Sequence, residues 1–259
     1  MNRIALGIEY DGTHYHGWQT QEEVPTIQNT LEAALTQVAT LPINIICAGR
    51  TDAGVHAECQ VIHFETEVSR SLRAWVWGSN RFLPPDIRVL WAKEVSSDFH
   101  ARFSALARYY RYIIYNNPIQ SALHVNRSAW CYRKLSETRM QEAAQYLVGE
   151  HDFTSFRGAA CQAKSPIRRI EHFNVTRKND FIFLEIKANA FLHHMVRNIA
   201  GTLIEIGSGK KSPQWIIELL ANKDRRLAGM TANPAGLYLV GIDYPSAFHL
   251  TSHPALVNL

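Results

Sequence analysis

The chain has 259 residues, 46% of them apolar and 19% charged, which suits a folded globular protein with one large or two modest cores and excludes a disordered or fibrous chain. Twenty-seven basic against 23 acidic residues give a formal net charge of +4, compatible with a polyanionic partner without requiring one. No apolar run has membrane-spanning length, no basic-then-apolar leader opens the chain, and Cys47, Cys59, Cys131 and Cys161 lack C-x-x-C spacing, so membrane anchoring, secretion, zinc and a redox pair are not indicated and a cytoplasmic location is expected.

Ile4, Leu6, Ile8 and Tyr10 alternate as the inward face of a strand. Thr26 can cap a helix whose apolar positions Ile27, Leu31, Ala34, Leu35 and Val38 keep helical spacing. Apolar runs at Ile43 to Ile46 and Val61 to Phe64 read as two strands. Between them lies Cys47-Ala48-Gly49-Arg50-Thr51-Asp52-Ala53-Gly54-Val55-His56-Ala57, longer than a hairpin needs. A helix over Ser69 to Phe82 is stopped by Pro84-Pro85, and a strand over Ile87 to Val95 closes a first β-α-β-β-α-β set.

The order then repeats. Ala107 to Tyr115 is a strand, and Ser136 caps a helix with Leu135 and Met140 as a hydrophobic staple and Gly149 as its stop. Strands at Ile167 to Arg177 and Phe181 to Ala188 precede a helix from Phe191 to Ile206. A short helix opens at Ser212-Pro213, and Leu237 to Tyr244 is the last strand. The fold expected is α+β: two ferredoxin-like, RRM-like βαββαβ halves with mostly antiparallel sheets, one over residues 1–100 and one over 101–259.

The long loop, Gly49-Arg50-Thr51-Asp52-Ala53-Gly54-Val55-His56, carries two glycines around an arginine and a carboxylate two residues apart. It reads either as a turn with Asp52 bonding nearby amides or as a presented reactive group. Further matches lie at Tyr10-Asp11-Gly12-Thr13, Gly17-Trp18-Gln19, Phe99-His100-Ala101-Arg102-Phe103-Ser104-Ala105, and Arg108 with Tyr110-Arg111-Tyr112. They continue at His151-Asp152-Phe153-Thr154-Ser155-Phe156-Arg157, Phe191-Leu192-His193-His194-Met195-Val196-Arg197-Asn198 and Gly236-Leu237-Tyr238-Leu239. In this order the set resembles the tRNA pseudouridine synthase I family. Cys59 departs from it, standing where many relatives carry glycine.

The resemblance implies a basic cleft between the halves, a homodimer, and isomerisation of uridine to pseudouridine at positions 38 to 40 of a tRNA anticodon stem-loop. It makes Asp52 the catalytic residue. The chemistry breaks an N-glycosidic bond, turns the uracil and forms a C–C bond, with no redox change or net hydrolysis, so neither cofactor nor metal is expected. A carboxylate kept from water tends to protonate, and a guanidinium partner reverses that tendency. The family motif points to Arg197 as that partner, although spacing alone favours an exposed helical arginine. Tyr110 is assigned to stacking on the flipped uracil, and Arg50 to the gap left by the extruded nucleotide, or to a salt bridge with Asp52.

His56 and His63 read as structural donors. A zinc pair at His193 and His194 is rejected because adjacent residues on a helix diverge by about 100°. Arg157, Lys164, Arg168, Arg169, Lys210, Lys211, Arg225 and Arg226 are candidates for phosphate contacts. Two other readings compete: an RNA-binding protein without catalysis on the same scaffold, and an unrelated hydrolase with a lone aspartate nucleophile.

Overall fold

The computed structural model describes residues 1–250. They form two compact units, one of Met1–Arg108 joined by the described residues from Tyr238 onward, the other of Tyr109–Leu237. Residues 251–259 of the expected second half lie outside the described residues.

The first unit follows the expected element order: β1 (Asn2–Tyr10), α1 (Ile27–Ala39), β2 (Ile46–Cys47), β3 (His56–Thr66), α2 (Leu72–Phe82) and β4 (Ile87–Val95). Antiparallel pairing runs β4-β1-β3, with Leu6 opposite both Ile62 and Ala92. The strand β2 pairs antiparallel with β3 at Ile62 and His63, which gives the ferredoxin-like order. The final strand of the chain, β10 (Leu237–Asp243), also joins β3, parallel, with Tyr238 opposite His56 and Leu239 opposite Ala57. It therefore belongs to the first unit, where the periodicity had placed it in the second.

Thr26 caps α1 by accepting from the Asn29 amide, as its position predicts. The second helix starts later than expected. Thr66 Oγ1 accepts from the Val68 amide at 3.1 Å, and Ser71, two residues after the expected start, caps α2. Leu6, Leu31, Leu35, Phe64 and Trp75 build this core, with Phe64 and Trp75 edge to face at 5.0 Å.

The second unit takes β5 (Ala107–Asn116) from Tyr109 on, then β6 (Ala129–Cys131), α3 (Glu137–Gln145), β7 (Gly149–Asp152), β8 (Ile167–Lys178), β9 (Phe181–Ala188), α4 (Met195–Gly207) and α5 (Trp215–Asn222). Pairing runs β5-β9-β8-β7, with β6 parallel on β5. Ser136 accepts from the Arg139 amide to cap α3, and the stapling residues Leu135 and Met140 are both buried. Asn179 takes positive φ in the two-residue turn joining β8 to β9, where such turns demand it. Gly149 opens β7 and does not end α3, which stops at Gln145. The ten strands of the described residues are mostly antiparallel, so the α+β class holds. No helix among the described residues is long and apolar enough to cross a membrane.

Candidate active site

In the first unit the Gly49–Gly54 loop is held from several sides. The Ala48 amide donates to Val61 O at 2.8 Å. One guanidinium nitrogen of Arg108 donates to Ala48 O at 3.0 Å and to Arg102 O at 2.6 Å. Gln60, fully buried on β3, grips Gly49 twice: its Nε2 donates to Gly49 O at 2.5 Å and its Oε1 accepts from the Gly49 amide at 3.3 Å. Two positions on, the buried Thr51 exchanges a hydroxyl hydrogen bond with Tyr10 at 2.8 Å, and its carbonyl accepts from the Trp18 amide at 3.0 Å. The Val55 amide then turns back onto Asp52 O at 3.1 Å, with Gly54 at φ +74°. Two glycines pack against this loop where a side chain would not fit. A Cβ on Gly12 would lie 2.0 Å from Val55 O, and Gly17, at φ +87°, passes against the Thr51 carbonyl.

Asp52 is thus half-buried at the apex of a loop whose neighbours are fixed, and Arg50 is exposed beside it. His56 follows. Its Nδ1 accepts from the Gly12 amide at 3.1 Å, and its ring stacks on Tyr238 of β10 at 4.6 Å. His63 Nδ1 likewise accepts from the Ala101 amide at 3.1 Å. Burial, helped by neighbouring His100 and Arg3, pushes the His63 imidazole down to about 4. His63 is thus an acceptor at Nδ1, whereas His56 Nδ1 lies 3.1 Å from both the Gly12 amide and Asp11 Oδ1. Cys59 lies in β3 where its register against β1 shifts, between Ala57 and Gln60, and burial raises its thiol to about 12.

In the second unit Tyr110 is 9% exposed and meets Phe191 edge to face at 4.9 Å. Tyr112, two residues along on the same face, is the fully buried core tyrosine, and its hydroxyl donates to Asn233 O at 2.8 Å. Burial drives that hydroxyl's pKa up and the nearby Arg197 guanidinium opposes the rise. Arg197 is half-buried in the first turn of α4 and ties to the following segment, its Nε donating to Ala232 O at 2.9 Å and its carbonyl accepting from the Ala232 amide.

The helix expected from Phe191 starts only at Met195, because His194 adopts the left-handed conformation at φ 62°. His193 and His194 therefore precede the helix. Their rings lie face to face at 3.7 Å, so the argument from helical divergence does not describe them.

Of the four residues the family motif singles out, Arg50 and Asp52 share the pinned loop of the first unit, and Tyr110 and Arg197 lie in the second. Several of the candidate phosphate-binding residues have internal work. Arg225 donates to Asn198 Oδ1 at 2.9 Å, Arg157 donates to two carbonyls of its own loop, and Arg226 pairs with Asp224. The sequence reading missed Gln60 and Tyr10 as supports, because each acts on a residue 11 or 41 positions away. It also missed Asn198, whose amide joins three parts of the chain.

Comparison with known proteins agrees with the loop. A family model described as tRNA pseudouridine synthase matches residues 7–104 and 143–245. A tRNA pseudouridine synthase A of Photobacterium profundum is 56% identical over 252 residues, 97% of each chain. One of Coxiella burnetii is 56% identical over 254 residues, covering 98% of this chain and 97% of its own, and one of Aliivibrio fischeri is 57% identical over 252 residues, 97% and 96%. Among solved structures, a chain of a Cbf5-Nop10-Gar1 complex aligns at TM-score 0.38 and 9% identity, over 91% of this chain and 48% of that one. Matched along nearly its whole length by these relatives, and carrying Asp52 on a loop braced from both flanks, this chain belongs to the tRNA pseudouridine synthase family of isomerases.

Proposed function

We propose that this enzyme converts uridine to pseudouridine at one or more of positions 38, 39 and 40 of the tRNA anticodon stem-loop, with Asp52 as the catalytic residue. The observation that carries the reading is the loop itself: a half-buried carboxylate at its apex, with the residues on either side bound to buried partners. Such bracing holds a reactive group within the narrow angular range that chemistry requires.

The target nucleotide leaves the helical stack, Arg50 enters the space it vacates, and Tyr110 stacks on the uracil. Asp52 then acts on the ribose at the glycosidic bond, as nucleophile or as base to a glycal-like intermediate. The freed uracil turns in place, C5 bonds to C1′, the C5 proton passes to a base and on to water, with the Tyr110 hydroxyl available for the transfer, and N1, released from C1′, takes up a proton. Arg197 supplies the cation that keeps the carboxylate ionised. These roles rest on the motif positions. The family resemblance also supports a homodimer, and four free thiols, three of them buried, suit the reducing cytoplasm.

The test uses unmodified tRNA tritiated at C5 of uracil, without added metal or cofactor. Asp52→Asn is expected to abolish tritium release, by at least about a thousandfold, and to leave tRNA affinity nearly unchanged. Release by this variant at the wild-type rate would sink the assignment of Asp52, and no release by the wild-type protein would favour a non-catalytic RNA-binding role. Mapping pseudouridines in RNA from cells lacking the gene identifies the positions modified.

A further inference from the structure

Tyr10 and Thr51 form a hydrogen-bonded pair of hydroxyls in a place that apolar residues of the same shape would also fill. Tyr10 is 2% exposed, Thr51 is 7% exposed, and the Tyr10 ring packs beside the buried Trp18 at 6.0 Å. Phenylalanine and valine would occupy that volume, and exchanging both partners of a buried hydrogen bond for apolar equivalents is close to neutral for stability. Stability alone therefore gives little reason for the pair.

Its placement gives a better one. The register of β1 against β3 shifts between Ile8 and Tyr10, so that Tyr10 faces Ala57, the residue next to His56 at the exit of the loop. The extra residue of this irregularity is on β3, between Ala57 and Gln60, at the exit of the loop. Opposite it, the Tyr10 hydroxyl reaches the residue directly between Arg50 and Asp52. The Trp18 amide fixes the Thr51 carbonyl at the same time. Side chain and carbonyl together set the orientation of the peptide from which Asp52 departs.

We infer that Tyr10 is a positioning residue for the isomerisation: its bond to Thr51 sets the direction in which the Asp52 carboxylate is presented. The inference rests on Asp52 being catalytic. It does not place Tyr10 in contact with RNA.

Four variants test it by single-turnover isomerisation with enzyme in excess, alongside tRNA affinity and thermal midpoint. Tyr10→Phe and Thr51→Val are each expected to slow the step on the order of tenfold with affinity within about twofold of wild type. The double variant is expected to be no slower than the slower single, because both changes remove one bond. Thr51→Ser, which keeps the hydroxyl, should retain the wild-type rate. Thermal midpoint separates positioning from mere structure. Tyr10→Phe leaves a buried Thr51 hydroxyl unsatisfied and lowers the midpoint, and the double variant recovers it.

A rate that recovers together with the midpoint in the double variant overturns the inference, as do wild-type rates in both singles or rate losses that multiply in the double. Asp52→Asn is assayed in parallel. If it stays active, the catalytic reading fails and takes this inference with it. If it is inactive and the double variant runs at the wild-type rate, only the inference fails.

Discussion

Gly12 sits where a methyl group would press into the Val55 carbonyl, and no rotation of a side chain can relieve a clash with backbone. Gly12→Ala is therefore expected to destabilise the protein by about 2–3 kcal/mol, seen as a lower urea midpoint with an unchanged slope. A loss below about 0.5 kcal/mol would show that the strand end moves aside freely. At this scale the sequence was readable where function depends on contiguous residues. Arg50, Thr51 and Asp52 stand in one motif, and the glycines around them announce an unusual backbone. It was unreadable where one side chain serves a distant backbone group, as with the two-point grip of Gln60 on Gly49. His63 shows another limit. Its type and spacing say nothing about which ring nitrogen accepts, which is settled by the amide of Ala101.

Among the elements, α4 shows how much tertiary context adds to periodicity. The stripe Met195, Ile199, Thr202 and Ile206 is buried as its spacing predicts, but Val196, Asn198, Ala200, Gly201 and Leu203 are buried too. The second covering is the segment after α5. Asn198 Nδ2 donates to Phe156 O at 2.8 Å, and Asn198 Oδ1 accepts from Thr231 Oγ1 at 2.7 Å and from Arg225. The Thr202 hydroxyl accepts from the Gly229 amide at 3.1 Å. Asn198→Ala strips partners from a carbonyl, a hydroxyl and a guanidinium at once and is expected to cost about 3 kcal/mol in chemical denaturation. A cost under about 1 kcal/mol would mean that the network rearranges around the gap. Most strands of ordinary length were legible to within a residue or two, β4 and β9 fully, but β3 begins at His56, five residues before the Val61 expected. β6 and β7 were not, since three or four residues carry too little alternation to stand out, and Gly149 reads equally well as a helix stop. The start of α4 was lost to a histidine in the left-handed region, where side chains rarely go.

For the molecule as a whole, buried neutral groups and paired carboxylates shape stability against pH. The folded state holds His63 near 4, below its ordinary 6.5, so the unfolded chain binds the extra proton and stability falls as pH drops from 6.5 toward 4. Glu137 and Glu205 are lowered by hydrogen bonds from Arg177 and Arg133, so what they contribute is present above the ordinary carboxylate range and is lost as pH falls through their lowered values. At the alkaline end burial raises Cys47 and Cys59 from 9 to about 12, so stability declines as pH climbs past 9 and the unfolded thiols ionise first. Melting between pH 4 and 10 should trace a dome. In His63→Gln its upper acid flank should be shallower, by on the order of 1 kcal/mol after solvent screening, and an unaltered flank would refute the assignment. The first βαββαβ set was visible in the chain; β6 and β7 of the second unit and the destination of the last strand were not, because the pattern within a strand does not name its neighbour. That destination orders events during synthesis. A ribosome finishes β3 early, yet the strand that lies along its start is made only after Tyr109–Leu237, roughly ten seconds later at bacterial elongation speeds. Until then His56 lacks the Tyr238 ring against it, so the nascent chain carries the Asp52 loop long before it owns a finished frame for it.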